Sequence, residues 1–141
     1  MLHLITSLQD PWIHLLKDDP VRPSIPSASR VHDHATIFVL VKDTEPQAVT
    51  CVAYLDQVPT TEGELGKFGD NVAAFYTIWS YHPGAGRQLI REAQQWIKTN
   101  TEIKRYVTLS PKTEMARKFH INNGAVTLQE NPETVNYEYP A

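Results

Sequence analysis

The sequence predicts an α/β domain of the α+β kind, with one mixed, mostly antiparallel central sheet flanked by helices. Three observations point there. Short β-branched and apolar runs recur along the chain at strand length. Helical-period segments are interspersed among them, giving the order αββ-β-α-β-α-ββ. Proline- or glycine-containing turns join neighbouring strand runs closely enough for antiparallel hairpins. The length of 141 residues, with 41% hydrophobic and 21% charged residues, suits one soluble globular unit rather than a disordered chain.

The elements follow in order. Asp10-Pro11 reads as the cap and first position of a short helix over 10–17, with Trp12, Leu15 and Leu16 at helical spacing. Pro20, Pro23 and Pro26 then impose a loop with at most one short turn. "TIFVLVKD" (36–43) is a strand, "EPQ" turns the chain, and "AVTCVAYLDQV" (48–58) is its antiparallel partner. The connection "PTTEGELGKFGD" is long enough to be functional. "NVAAFYTIWSY" (71–81) is apolar on both faces and so belongs at the sheet's centre. Leu89, Ile90, Ala93, Trp96 and Ile97 make one buried stripe of a helix running to about Asn100. "RYVTLS" (105–110) is a strand. Ser110-Pro111 reads as the start of a second long helix, with Met115, Ala116, Phe119 and His120 inward and Gly124 closing it. "AVTLQ" and "TVNYEY" make a C-terminal hairpin about "NPE". Trp79 and Trp96 are expected in the core.

Composition narrows the function. No continuous apolar run exceeds five residues, far short of the ~20 that a membrane helix needs. The N-terminus lacks the pattern of a signal peptide, so a cytoplasmic location and no membrane partner are expected. Cys51 is the only cysteine, which leaves no internal disulfide and no cysteine cluster for zinc. His32 and His34 in "RVHDH" lack a third distant ligand, so no metal is expected. The net charge of −3 hides an asymmetry. Residues 87–118 hold eight Lys/Arg against three Glu, net +5, and the remainder is −8. A basic segment in an acidic protein favours an anionic ligand beside it. It lacks the interleaved aromatics of a single-strand binding surface, which argues against nucleic acid.

That basic segment begins in "YHPGAGRQLI", Tyr81 to Ile90. Glycines between a strand and a helix let backbone amides approach a ligand, and the helix directs free N–H groups at the same spot. The segment is neither a P-loop nor a dinucleotide fingerprint: no Gly-Lys-Ser/Thr follows, and no third glycine stands at the required offset. An anion cradle and a plain strand–helix turn both remain open on this evidence.

With its flanking elements, the stretch resembles the GCN5-related N-acetyltransferases. Gly84-Ala85-Gly86 matches the glycine part of their pyrophosphate loop, and Arg87-Gln88 the start of the following helix. Thr113, Ala116, His120 and Gly124 fit the frame of the second signature, Asn-x-x-Ala-x-x-x-Tyr and then Gly four residues on. The likeness spans about 36–139 in element order. Four positions depart from it. Tyr81 replaces an Arg or Gln, Thr113 an Asn, His120 a Tyr, and Ala125 a Phe.

The resemblance implies one acetyltransferase-like domain over 1–141 that moves an acetyl group directly from acetyl-CoA, as cosubstrate, to an amine of a small molecule or protein. It implies that backbone groups at Ile78 and Ser80 bind the pantetheine arm. Gly84, Ala85, Gly86, Arg87 and Gln88 would hold the pyrophosphate, with Thr113 also contacting the cofactor. His120 is the candidate catalytic acid for the leaving thiolate, whose ordinary pKa of about 8.5 makes a protonated imidazole a competent donor. Tyr76, Asp70, His32 and His34 are open candidates for the general base. The acidic remainder suits a cationic amine. A monomer or a homodimer is expected. The alternative is a catalytically weak acyl-CoA-binding or regulatory module on the same fold.

Overall fold

The computed structural model describes residues 1–141. Eight strands and two α-helices follow one another as β1 (Leu2–Ile5), β2 (Ala35–Lys42), β3 (Glu45–Leu55), β4 (Val72–Ser80), α1 (Ala85–Asn100), β5 (Tyr106–Thr108), β6 (Ser110–Pro111), α2 (Glu114–Asn122), β7 (Val126–Glu130) and β8 (Thr134–Tyr139). Short 3-10 segments cover Pro11–Asp18, Ser27–Ser29 and Glu62–Gly66. All strands join one sheet in the order β1-β2-β3-β4-β5-β8, with β6 and β7 also paired to β8. Only β4 and β5 run parallel; every other pairing is antiparallel. This is the mixed, mostly antiparallel sheet that the sequence predicts.

Both faces of the sheet are covered, which explains why its central strands read as unbroken apolar runs. Phe38 and Leu40 of β2 point to one face and meet Leu89, Ile90, Ala93 and Ile97 of α1. Ile37, Val39 and Val41 point to the other and meet Leu15 and Leu16 of the first 3-10 helix. Trp96 packs edge-on against Phe38, with ring centroids 5.5 Å apart, and Trp79 is buried on the opposite face.

Several local expectations need correction. The helix over 10–17 is a 3-10 helix, capped by the Asp10 carboxylate accepting from Trp12 N–H at 2.8 Å. β1 was not foreseen; it is a four-residue edge strand whose only partner is β2. The β2–β3 turn falls at Asp43 and Thr44, both at positive φ, and not at "EPQ". Pro46 is part of β3, where the irregularity between Leu40 and Val41 tolerates its missing N–H. Ser110-Pro111 does not start a helix. It forms β6, and the cap of α2 is Thr113, whose hydroxyl accepts from Ala116 N–H at 3.2 Å. Met115 faces solvent and not the core, at 82% exposure.

Candidate functional site

The site arises because β4 and β5 stay together for only three residue pairs, Ala73 with Tyr106, Ala74 with Val107 and Phe75 with Thr108. One further bond, Leu109 N–H to Phe75 O at 3.0 Å, closes the shared ladder. Beyond it β4 stays with β3, while the chain after β5 turns to β8 as β6. Asn136, fully buried in β8, fixes the departure. Its amide donates to Thr108 O at 2.7 Å and to Pro59 O at 2.8 Å, and Tyr137 N–H donates to Thr108 Oγ1 at 3.0 Å.

The strands therefore part around a cleft of about 650 Å³. Phe75 to Ser80 of β4 form one wall and Leu109 to Pro111 the other. Thr113, Met115, Ala116, Phe119 and His120 close one side, and Pro20 and Val21 reach it from the other face of the sheet. Of the sequence-predicted residues, Ile78, Ser80, Thr113 and His120 line this cleft.

A bulge sets which backbone groups of β4 face it. Cys51 pairs with Thr77 but Val52 pairs with Phe75, so Tyr76 is one residue in excess. Past the bulge, Tyr81 N–H donates to Gln47 O at 2.8 Å. The alternation of an antiparallel ladder then directs the polar groups of Trp79 and Thr77 to β3. Those of Ile78 and Ser80 face the opened side.

The glycine loop stands at the mouth of the cleft and is not part of its lining. Gly84 caps α1 with φ +80°, a left-handed conformation, and supplies no side-chain cap. Ala85 N–H reaches His82 O at 3.3 Å, and Gln88 N–H reaches Gly84 O at 3.4 Å. The N–H groups of Gly86 and Arg87, in the first turn, have no helical acceptor. Gly86 is held against the cleft wall: a Cβ there would lie 2.8 Å from Ser80 Oγ and 3.1 Å from the Phe119 ring. Arg87 is exposed and forms no ion pair, whereas the Gln88 side chain is engaged with Glu92 Oε2 at 2.7 Å. Tyr81 turns away from this loop. Its hydroxyl accepts from Trp79 Nε1 at 2.9 Å and donates to Asp18 Oδ2 at 2.7 Å.

His120 is buried at 4% exposure. Its Nδ1 lies 2.7 Å from the Tyr139 hydroxyl, and its ring stacks on Tyr137. Burial pushes its pKa down to about 4, so the imidazole is neutral at pH 7. A neutral ring carries a single N–H, on Nε2 when the Tyr139 hydroxyl donates to Nδ1. Thr113 lines the cleft, but its oxygen is engaged in capping α2.

Of the candidate bases, only Tyr76 lines the cleft, and burial raises the pKa of its phenol far above the ordinary range. His32 lines a separate cavity of about 400 Å³ with Glu62, Leu65 and Phe68, and Tyr76 lines both cavities. The His32 and His34 rings pack on Phe68, with centroids 4.6 and 5.6 Å away. Neither Asp70 nor His34 lines either cavity. Sequence reasoning missed Pro20, Val21 and Leu109 as lining residues. The prolines of 20–26 signalled a structured loop, but nothing local showed which face of the sheet it would cross.

No family model matches the chain, and no curated protein sequence matches it. Solved structures do. A GNAT family acetyltransferase from Elizabethkingia anophelis with acetyl-CoA bound has a TM-score of 0.68 at 12% identity, covering 100% of this chain and 97% of the other. The PaiA N-acetyltransferase from Thermoplasma acidophilum, in complex with coenzyme A, has a TM-score of 0.67 at 11% identity, covering 100% and 99%. A malonyl-CoA decarboxylase from Agrobacterium vitis has a TM-score of 0.69 at 20% identity over 84% of this chain. The chain spans only 35% of that decarboxylase. The fold is that of the GCN5-related N-acetyltransferases, the GNAT fold, and these likenesses are likenesses of fold.

Proposed function

We propose that the cleft binds acetyl-CoA and that the protein is an acetyl-CoA-dependent N-acetyltransferase acting on an amine. One observation carries this reading: the parting of β4 from β5 turns the backbone groups of Ile78 and Ser80 into an open cleft beside the uncapped N-terminus of α1. An extended pantetheine arm, rich in amides, pairs naturally with such a strand edge. The Gly86 and Arg87 amides and the positive end of the α1 dipole suit a pyrophosphate. Two solved structures of the same fold are described with coenzyme A or acetyl-CoA bound, which supports the class of ligand.

Acetyl-CoA supplies an activated acyl group and a thiol leaving group. The chain's own groups must then do three things. A β4 amide facing the cleft stabilises charge on the acyl oxygen. Neutral His120, held by Tyr139, donates a hydrogen bond and stabilises the departing sulfur without a full charge of its own. The amine must reach the cleft unprotonated: no carboxylate lines the cleft, and burial makes its one imidazole, His120, a weak base. We infer that the amine enters neutral, its ammonium proton lost to solvent, and that the second proton it sheds as the C–N bond forms and the C–S bond breaks passes to the departing thiolate, directly or through water.

Thiol release from acetyl-CoA across a panel of small amines and peptide N-termini tests the reading. Amine-dependent release at rates well above hydrolysis is expected. Tight acetyl-CoA binding with no amine-dependent release would instead establish an acyl-CoA-binding module. That second reading draws on the neutral His120, and on the malonyl-CoA decarboxylase, whose name places different acyl-CoA chemistry in a protein sharing this fold.

A further inference from the structure

We infer that Arg22 is a positioning residue for the cleft: by capping the carbonyl of the bulged residue Tyr76, it sets which backbone groups of β4 face the cosubstrate. The inference rests on the cleft being the acetyl-CoA site.

The parity of β4 explains why the bulge matters. Before it, Ala73 N–H donates to Arg105 O at 2.9 Å and Phe75 O accepts from Leu109 N–H at 3.0 Å, so the polar groups of 73 and 75 face β5. Continued without interruption, the same alternation would turn the groups of Thr77 and Trp79 into the cleft and those of Ile78 and Ser80 back to β3. The extra residue reverses this. It also leaves the Tyr76 carbonyl outside the ladder, in the protein interior, where an unpaired acceptor is costly. Arg22 Nη1 donates to that carbonyl.

Arg22 is itself held rigidly. It is 7% exposed, and its N–H donates to Asp19 Oδ1 at 2.9 Å. Its carbonyl accepts from Arg30 Nη2 at 2.5 Å, and its Nε lies 3.2 Å from Glu62 Oε1. Asp19 closes the circuit. It pairs with the fully buried Arg30 at 2.6 Å and accepts from the hydroxyl of Thr77, the residue after the bulge, at 2.9 Å. Buried ion pairs are a poor way to gain stability, because desolvating the charges offsets their attraction. What this group provides is position: it ties the 19–30 loop and the bulge into one piece, and Glu62 adds the following loop.

The test compares Arg22→Met, Arg22→Lys and, as a control, Leu15→Ala, which opens the apolar core of the same sheet face but removes none of the hydrogen bonds that hold the Tyr76 carbonyl. Amide NMR of the unliganded proteins reads the bulge directly. Arg22→Met is expected to shift the Ile78 and Ser80 amides and to speed the exchange of the Thr77 and Trp79 amides, which pair with β3, and Leu15→Ala to leave all four in place. Acetyl-CoA titration is expected to show roughly tenfold weaker binding for Arg22→Met, the scale of one or two misplaced hydrogen bonds, and affinity within about twofold of wild type for Leu15→Ala. Arg22→Lys keeps the charge but not the two-pronged geometry and should fall between them. If Arg22→Met does not fold, Glu62→Gln, at an exposed position, frees one prong and should still shift the same amides. Unchanged Ile78 and Ser80 amides in the folded variants would overturn the inference. A wild type that binds no acetyl-CoA would overturn the reading of the cleft, while the amide shifts would still decide the role of Arg22 in the bulge.

Discussion

Burial of His120 couples the site to pH in a definite direction. The folded ring takes up its proton near pH 4, against an ordinary value of 6.5. Between those values the unfolded chain binds more protons, so stability falls as the pH drops from 6.5 to 4. The loss amounts to at most about 3 kcal/mol, and His120→Gln should flatten the slope in urea melts at pH 7 and pH 4.5. Asp19 acts in a lower window. Burial opposes its charge, but hydrogen bonds from the Arg22 amide, Arg30, the Val21 amide and Thr77 hold its carboxyl below the ordinary 3.8. Its contribution is lost only as the pH falls through that depressed value. For catalysis, a neutral donor gives no fall in rate as the pH rises through 6.5. An imidazolium acid would give one.

Tyr81 and Gly86 separate the parts of the loop that face the ligand from those that do not. Burial raises the Tyr81 phenol to about 12, and its hydroxyl is committed to Trp79 and Asp18. Tyr81→Phe should cost about 1 kcal/mol of stability and leave acetyl-CoA affinity within about twofold. Gly86→Ala should do the reverse in emphasis. Its methyl displaces Ser80 Oγ or the Phe119 ring, both of the cleft wall, and acetyl-CoA binding should weaken by roughly tenfold for about 1–2 kcal/mol of strain. Calorimetric titration checks both.

At the scale of elements, α2 depends on a cap that the sequence did not mark clearly. Ser110-Pro111 has the look of a helix start, yet the buried Ser110 hydroxyl donates to Thr108 Oγ1 at 2.8 Å and the pair joins β8. The working cap is Thr113. Thr113→Ala should cost about 1 kcal/mol, visible as faster amide exchange in the first turn of α2. What was legible and what was not divides here on physical grounds. The apolar stripe of α1, the central strands and the glycine loop announce themselves, because periodicity and φ-specific residues are local signals. β1 is four residues long and owes its existence to β2. The bulge at Tyr76 and the parting of β4 from β5 are decided by Arg22, Asp19 and Asn136, which act across long sequence separations. Ile78 and Ser80 could therefore be named only through resemblance, while the reason their backbone faces the cleft lies in tertiary contacts.

At the scale of the whole molecule, charge and cleft agree. Arg87, in the first turn of α1 where the amides are free, and Lys112, between the lining residues Pro111 and Thr113, form no ion pairs. Raising salt from roughly 0.05 to 0.5 M should therefore weaken acetyl-CoA several-fold, and should affect an acetyl-pantetheine thioester lacking the phosphates far less. No helix is long and apolar enough to cross a membrane. The central claim, that the parted strands and the α1 N-terminus form one acetyl-CoA site, is tested most directly by titrating acetyl-CoA into the isotope-labelled protein and following backbone amides. The account predicts saturable shifts at Ile78, Ser80, Gly86 and Arg87 with a common dissociation constant. Shifts confined to other surfaces, or none at millimolar acetyl-CoA, would contradict it.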